Sequence, residues 1–282
     1  MVGRSSQPAE TLCAWVTAAC LACVATGCIT PGRSAFRGLP DRHEFRDEGL
    51  TIHSDEKLPE SDPLIADLYR VREQITEVLD LPPANRSVSV YLFRDQERYA
   101  TYMYAAHPEL PNRRAFFIGS TTELAVYAFQ GDRVGEDLRH EYTHGLLHAT
   151  LKTVPLWLDE GLAEYFEVGG THPGGLNRDH AHRLATALEN GWRPDLHRLE
   201  QLDDIGQMRR VDYQEAWAWV HFLLHEVPGG RALLVDYVNE LRSTTAAPSL
   251  AERIRREVPS AEMRLMNYIA TFSTSHVGRS VL

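Results

Sequence analysis

The sequence predicts an α+β protein, with its strands gathered in the first half and its helices in the second. Three observations carry that reading. Ser87 to Phe93 reads SVSVYLF, rich in strand formers and alternating, and similar short runs flank it. From Gly131 onward, apolar residues recur at helical spacing almost to the end. The 282 residues are 43% hydrophobic and 24% charged, with 19 Gly and 15 Pro, which excludes collagen-like, low-complexity and polytopic membrane proteins. Lys+Arg 29 against Asp+Glu 39 gives a net charge of −10, which argues against a nucleic-acid partner.

The elements follow in chain order. Leu50 to His53 is a first strand, and Leu64 to Leu79 a helix with apolar residues on one face. Ser87 to Phe93 is followed by a helix over Gln96 to Ala106. Ala115 to Ile118 and Leu124 to Phe129 are strands joined by the polar turn Gly119 to Thr122. Helices are then expected over 134–151, 156–168, 177–190, 213–225, 229–241, 247–258 and 261–273. Residues 49–282 thus form one domain, sheet-bearing over 49–151 and helical over 152–282.

All four cysteines, Cys13, Cys20, Cys23 and Cys28, precede that domain. The apolar run Leu12 to Val24 has the length of a signal-peptide core and is short for a membrane span. Val24-Ala25-Thr26-Gly27-Cys28 resembles a bacterial lipobox, with Ala25 where Leu is usual. That favours a lipoprotein signal over an uncleaved anchor or a buried helix. The resemblance implies cleavage after residue 27, a lipid on Cys28 and a place on the membrane of a bacterial envelope. No other thiol remains, so no intramolecular disulfide is expected. Residues 28–48, with Pro31, Gly32, Gly38 and Pro40, read as a tether.

The chemistry concentrates in two stretches. His140-Glu141-Tyr142-Thr143-His144 is an H-E-x-x-H on a helix. Residues four apart share a face, so both imidazoles can meet one metal ion, with Glu141 beside them as general base. Residues 155–167, PLWLDEGLAEYFE, form a second amphipathic helix with Glu160 and Glu164 one turn apart. A gap of 15 residues separates His144 from Glu160, enough to turn near Pro155 and return antiparallel. Glu160 would then reach the metal; a solvated face is the plainer alternative.

These motifs resemble those of gluzincins, zinc peptidases whose third ligand is a glutamate, and especially the compact peptidase MA-like bacterial proteins. Their pattern is H-E-x-x-H, then W-L-x-E-G-L-A-E-Y, then a helix opening Tyr-x-x-Ala. Here stand HEYTH, WLDEGLAEY and Tyr213-Gln214-Glu215-Ala216, within a resemblance running from about Leu50 to Leu241. It implies a zincin (thermolysin-like) fold with a mixed sheet, one Zn²⁺ per chain held by His140, His144 and Glu160, and Glu141 as general base. It also implies that Glu164 hydrogen-bonds a ligand histidine, as metal-bound imidazoles usually require of some carboxylate. Tyr213 is the candidate donor to a developing oxyanion.

The implied reaction is hydrolysis of a peptide or protein substrate, with the strand Leu124 to Phe129 as the edge on which an extended substrate pairs. No G-x-M-E-N motif is present, which favours an endopeptidase. A catalytically silent scaffold of the same fold is the competing class, as is hydrolysis of another amide. His148 extends the i, i+4 series as a neighbour rather than a ligand. Glu167 reads as solvated, His221 and His225 as packing residues, and His172, His180 and His182 lack tight ligand spacing.

Overall fold

The computed structural model describes residues 38–170 and 172–274. The expected signal peptide, Cys28 and the tether as far as residue 37 lie outside the described residues. Five strands form one sheet: β1 (His43–Asp47), β2 (Leu50–Ser54), β3 (Val88–Phe93), β4 (Phe116–Gly119) and β5 (Leu124–Phe129). Their order is β1-β2-β3-β5-β4; β2, β3 and β5 are parallel, and β1 and β4 are antiparallel edges.

β1 was not expected, because its sequence HEFRD is almost wholly exposed and polar, as an edge strand can be. It takes up the last part of the stretch read as tether. Glu48 and Gly49, both at positive φ (40° and 84°), make the two-residue hairpin turn into β2.

The helices are α1 (Pro63–Leu79), α2 (Gln96–Ala106), α3 (Val134–Thr150), α4 (Leu156–Phe166), α5 (Arg178–Glu189), α6 (Leu196–Leu199), α7 (Arg210–His225), α8 (Gly230–Leu241), α9 (Leu250–Glu257) and α10 (Ala261–Thr274). Local chemistry sets several starts. Asp62 caps α1 by accepting from the Leu64 amide at 3.0 Å, with Pro63 in the first turn. Asp95 caps α2 by accepting from the Arg98 amide at 2.8 Å.

The alternation within β3 and β5 divides the core. Val88, Val90, Leu92, Leu124, Val126 and Ala128 join α1 and α3 in the large core, while Phe93, Ala125 and Tyr127 face α2 with Tyr99 and Met103. In the helical half, α4 packs along α7, whose Trp217, Trp219 and Phe222 are fully buried. Among the described residues no helix is long and apolar enough to cross a membrane.

Candidate metal centre

α3 carries His140, Glu141 and His144, and α4 returns beside it with Glu160. Two glycines govern how closely these helices sit on their supports. A Cβ on Gly145, next to His144, would stand 2.8 Å from Val88 Cγ1 of β3. One on Gly161, next to Glu160, would stand 2.7 Å from the Ala216 carbonyl oxygen of α7. Each glycine therefore seats a chemistry-bearing residue against the scaffold at a distance no side chain permits.

The outcome is a convergence of three donors. His140 Nε2 lies 3.5 Å from Glu160 Oε2, and His144 Nε2 lies 3.8 Å from the same oxygen. The ligand atoms of the three residues lie within 4.8 Å of one another. Two ligands at about 2.0–2.1 Å from a tetrahedral metal stand about 3.3–3.4 Å apart, and the two imidazole–carboxylate distances lie near that value. Glu160 is only 3% exposed, a carboxylate withdrawn from water that faces two imidazoles.

The other ring nitrogens are also engaged. His140 Nδ1 hydrogen-bonds Glu167 Oε2 at 3.1 Å. Glu167 is held in turn: Asn177 Nδ2 donates to its Oε1 at 3.1 Å, and Arg139 Nε to its carbonyl at 2.6 Å. His144 Nδ1 stands 3.0 Å from Asp159 Oδ1, an ion-pair distance rather than an aligned hydrogen bond. Asp159 Oδ2 meets His148 Nε2 at 3.0 Å. With their Nδ1 sides against carboxylates, both rings turn Nε2 toward Glu160.

Three sequence expectations change. Glu164 pairs with His180 Nε2 of α5 at 2.8 Å, and Glu167, expected to be solvated, takes the place against His140. β5 is an interior strand, because LAVYAF is apolar on both faces and its partners β3 and β4 cover both sides. The edge beside the centre is β4. Its Phe117 amide donates to Glu141 Oε2 at 2.7 Å, which fixes one oxygen of that carboxylate. Asp159 backs both His144 and His148, a role that the sequence pattern does not signal.

Burial works against charge on both histidines, but the carboxylates outweigh it. Glu160 and Glu167 raise His140 well above the usual imidazole value, and Asp159 and Glu160 raise His144 to about 9. Burial also acts upward on Asp159 and Glu164. His144 and His148 nonetheless hold Asp159 well below the carboxylate range, and His180 brings Glu164 to about 2. Glu167 is pushed up by burial.

Tyr213, at the start of α7, lies within electrostatic reach of Glu160 and His140. Burial and the nearby Glu160 raise its pKa, and Arg113 Nη2 donates to its hydroxyl at 3.4 Å. His221 and His225 are packing residues: their rings stack at 4.3 Å, and Tyr268 and Tyr165 hydroxyls meet them at 2.8 and 2.9 Å. Among the described residues the other trio with this proximity is His140, Glu164 and Glu167, which shares its histidine with the first. A cleft of about 930 Å³, lined by His140, Glu141, His144 and Glu160, opens over the centre. The chain matches no protein-family model and no curated protein.

Proposed function

We propose that this chain is a zinc-dependent peptide-bond hydrolase with a gluzincin-type centre on a zincin fold, acting as an endopeptidase. The observation that carries the reading is the approach of two imidazole Nε2 atoms to one buried carboxylate oxygen, at 3.5 and 3.8 Å. His140, His144 and Glu160 would hold one Zn²⁺, a nitrogen-rich set with oxygen that suits this ion. When bound, zinc supplies Lewis-acid activation of water and of a carbonyl oxygen.

The chain's own groups do the rest. Glu141 Oε2 is anchored by the Phe117 amide, which leaves Oε1 to accept a proton and pass it to the leaving amine. Tyr213, kept protonated by burial and Glu160, donates toward the developing oxyanion, with Arg113 polarising its hydroxyl. The outer edge of β4 aligns an extended substrate past Glu141. The lipobox resemblance supports anchoring through a lipid on Cys28 in a bacterial envelope.

Hydrolysis of a quenched-fluorescence peptide library tests the reading. Turnover should be abolished by a chelator, restored by zinc and reduced about 10²–10⁴-fold in Glu141→Gln. Turnover unchanged in that variant would remove Glu141 as base.

A further inference from the structure

Apart from Arg113, which donates to the Tyr213 hydroxyl, the cationic residues lining the cleft over the centre gather at one end. The acidic lining residues, Glu141, Asp159 and Glu160, all belong to the centre itself. At the far end, past the last turn of α3, the lining is basic: Arg86, Lys152 and Arg242. The Lys152 amide donates to the Leu241 carbonyl at 3.0 Å, and its Nζ to the Ser243 carbonyl at 3.3 Å, which makes Lys152 and Arg242 neighbours. Arg86 comes from the loop before β3 and donates to the Ser120 carbonyl at 2.8 Å, at the β4–β5 turn. None of the three forms an ion pair with a described carboxylate, in a chain where acids outnumber bases by 39 to 29.

The C-terminal ends of α3 and α8 favour a cation at Lys152 and at Arg242, but a helix terminus carries only about half a charge. No helix end accounts for Arg86. Three cations without a counterion among the described residues therefore remain at one end of the cleft, where a concave surface strengthens their common field.

Resting on the hydrolase reading, we propose that the cleft selects acidic peptides, with Arg86, Lys152 and Arg242 meeting carboxylate side chains away from the scissile bond. Helix geometry sets the separation. From Glu141 to Thr150, where α3 ends, is nine residues, about 13 Å of rise, and Lys152 lies two residues beyond, a span that an extended peptide covers with about five residues.

The test uses the full chain and three quenched peptides that differ only about five residues from a fixed bond, carrying Asp-Asp, Asn-Asn or Lys-Lys there, each made with the pair on either side. At low salt kcat/KM should favour Asp-Asp over Asn-Asn by about tenfold, the order expected of two or three rim ion pairs. That advantage should shrink as salt rises. Lys152→Glu with Arg242→Glu should reverse it, while zinc content and turnover of the Asn-Asn peptide stay at wild-type levels. Should the double variant misfold, Arg242→Gln alone should still shrink the preference. Equal turnover of all three peptides overturns the acidic preference and leaves the hydrolase reading intact. If no peptide is cleaved, the hydrolase reading fails, and fluorescence anisotropy with labelled Asp-Asp and Lys-Lys peptides decides the preference; equal affinities overturn it.

Discussion

Glu167 Oε2 lies 3.1 Å from His140 Nδ1, whereas Glu164, three residues earlier, has turned to His180. The acid behind His140 is thus the residue that closes α4, steadied from both sides by Asn177 and Arg139. Removing such a partner costs about 10–100-fold in metal affinity. Glu167→Ala should therefore weaken zinc binding by that factor in competition with a chromophoric chelator, and Glu164→Ala by much less. Equal losses in the two variants would contradict this assignment.

Zinc uptake should be coupled to protons. Without metal, His140 stands well above the ordinary imidazole pKa and His144 near 9, so both rings are charged at neutral pH. A metal accepts only neutral imidazole, and binding at pH 7 should release about two protons. The sign follows: affinity climbs as pH rises toward 9 and falls as it drops. Calorimetry in buffers of different ionisation enthalpy reads the count directly, and an observed enthalpy independent of buffer would refute it.

Tyr213→Phe isolates one hydroxyl. Because burial and Glu160 keep that group protonated, it can serve as a donor throughout the neutral range. The variant should keep its zinc and its Tm while kcat falls by about 10²–10³. Wild-type kcat would take Tyr213 out of the mechanism; a lowered Tm with normal zinc would make it structural.

Gly161→Ala should disturb the centre from outside. The added methyl would press on the Ala216 carbonyl at 2.7 Å, a backbone atom that cannot swing aside. Overpacking of this kind costs about 1–3 kcal/mol. Thermal melts should show that loss together with weaker zinc binding, since Glu160 is the adjacent residue. A variant with unaltered Tm would mean that α4 and α7 separate freely.

Much of the centre was legible because helical spacing is local. Four residues put His140 and His144 on one face, and the length of the return put Glu160 opposite. The carboxylates behind the rings depend on how α3 and α4 cross, which local spacing does not encode. A signal for Glu167 did exist. At about 100° per residue, position i+7 falls nearer the azimuth of Glu160 than Glu164 at i+4 does. Asp159 offered no such clue, for its role comes from lying between His144 and His148 in space. In the sheet, β1 escaped notice because an exposed charged edge resembles a linker. The place of β5 just before α3 suggests an edge, whereas its unbroken apolar run is the pattern of an interior strand.

The most direct test of the proposed zinc centre is elemental analysis of the purified protein after equilibration with zinc and removal of the excess. The wild type and Glu141→Gln should each retain about one zinc per chain. Glu160→Ala should fall to background while its circular dichroism stays that of a folded protein. A folded wild type that retains no zinc under these conditions would contradict the account.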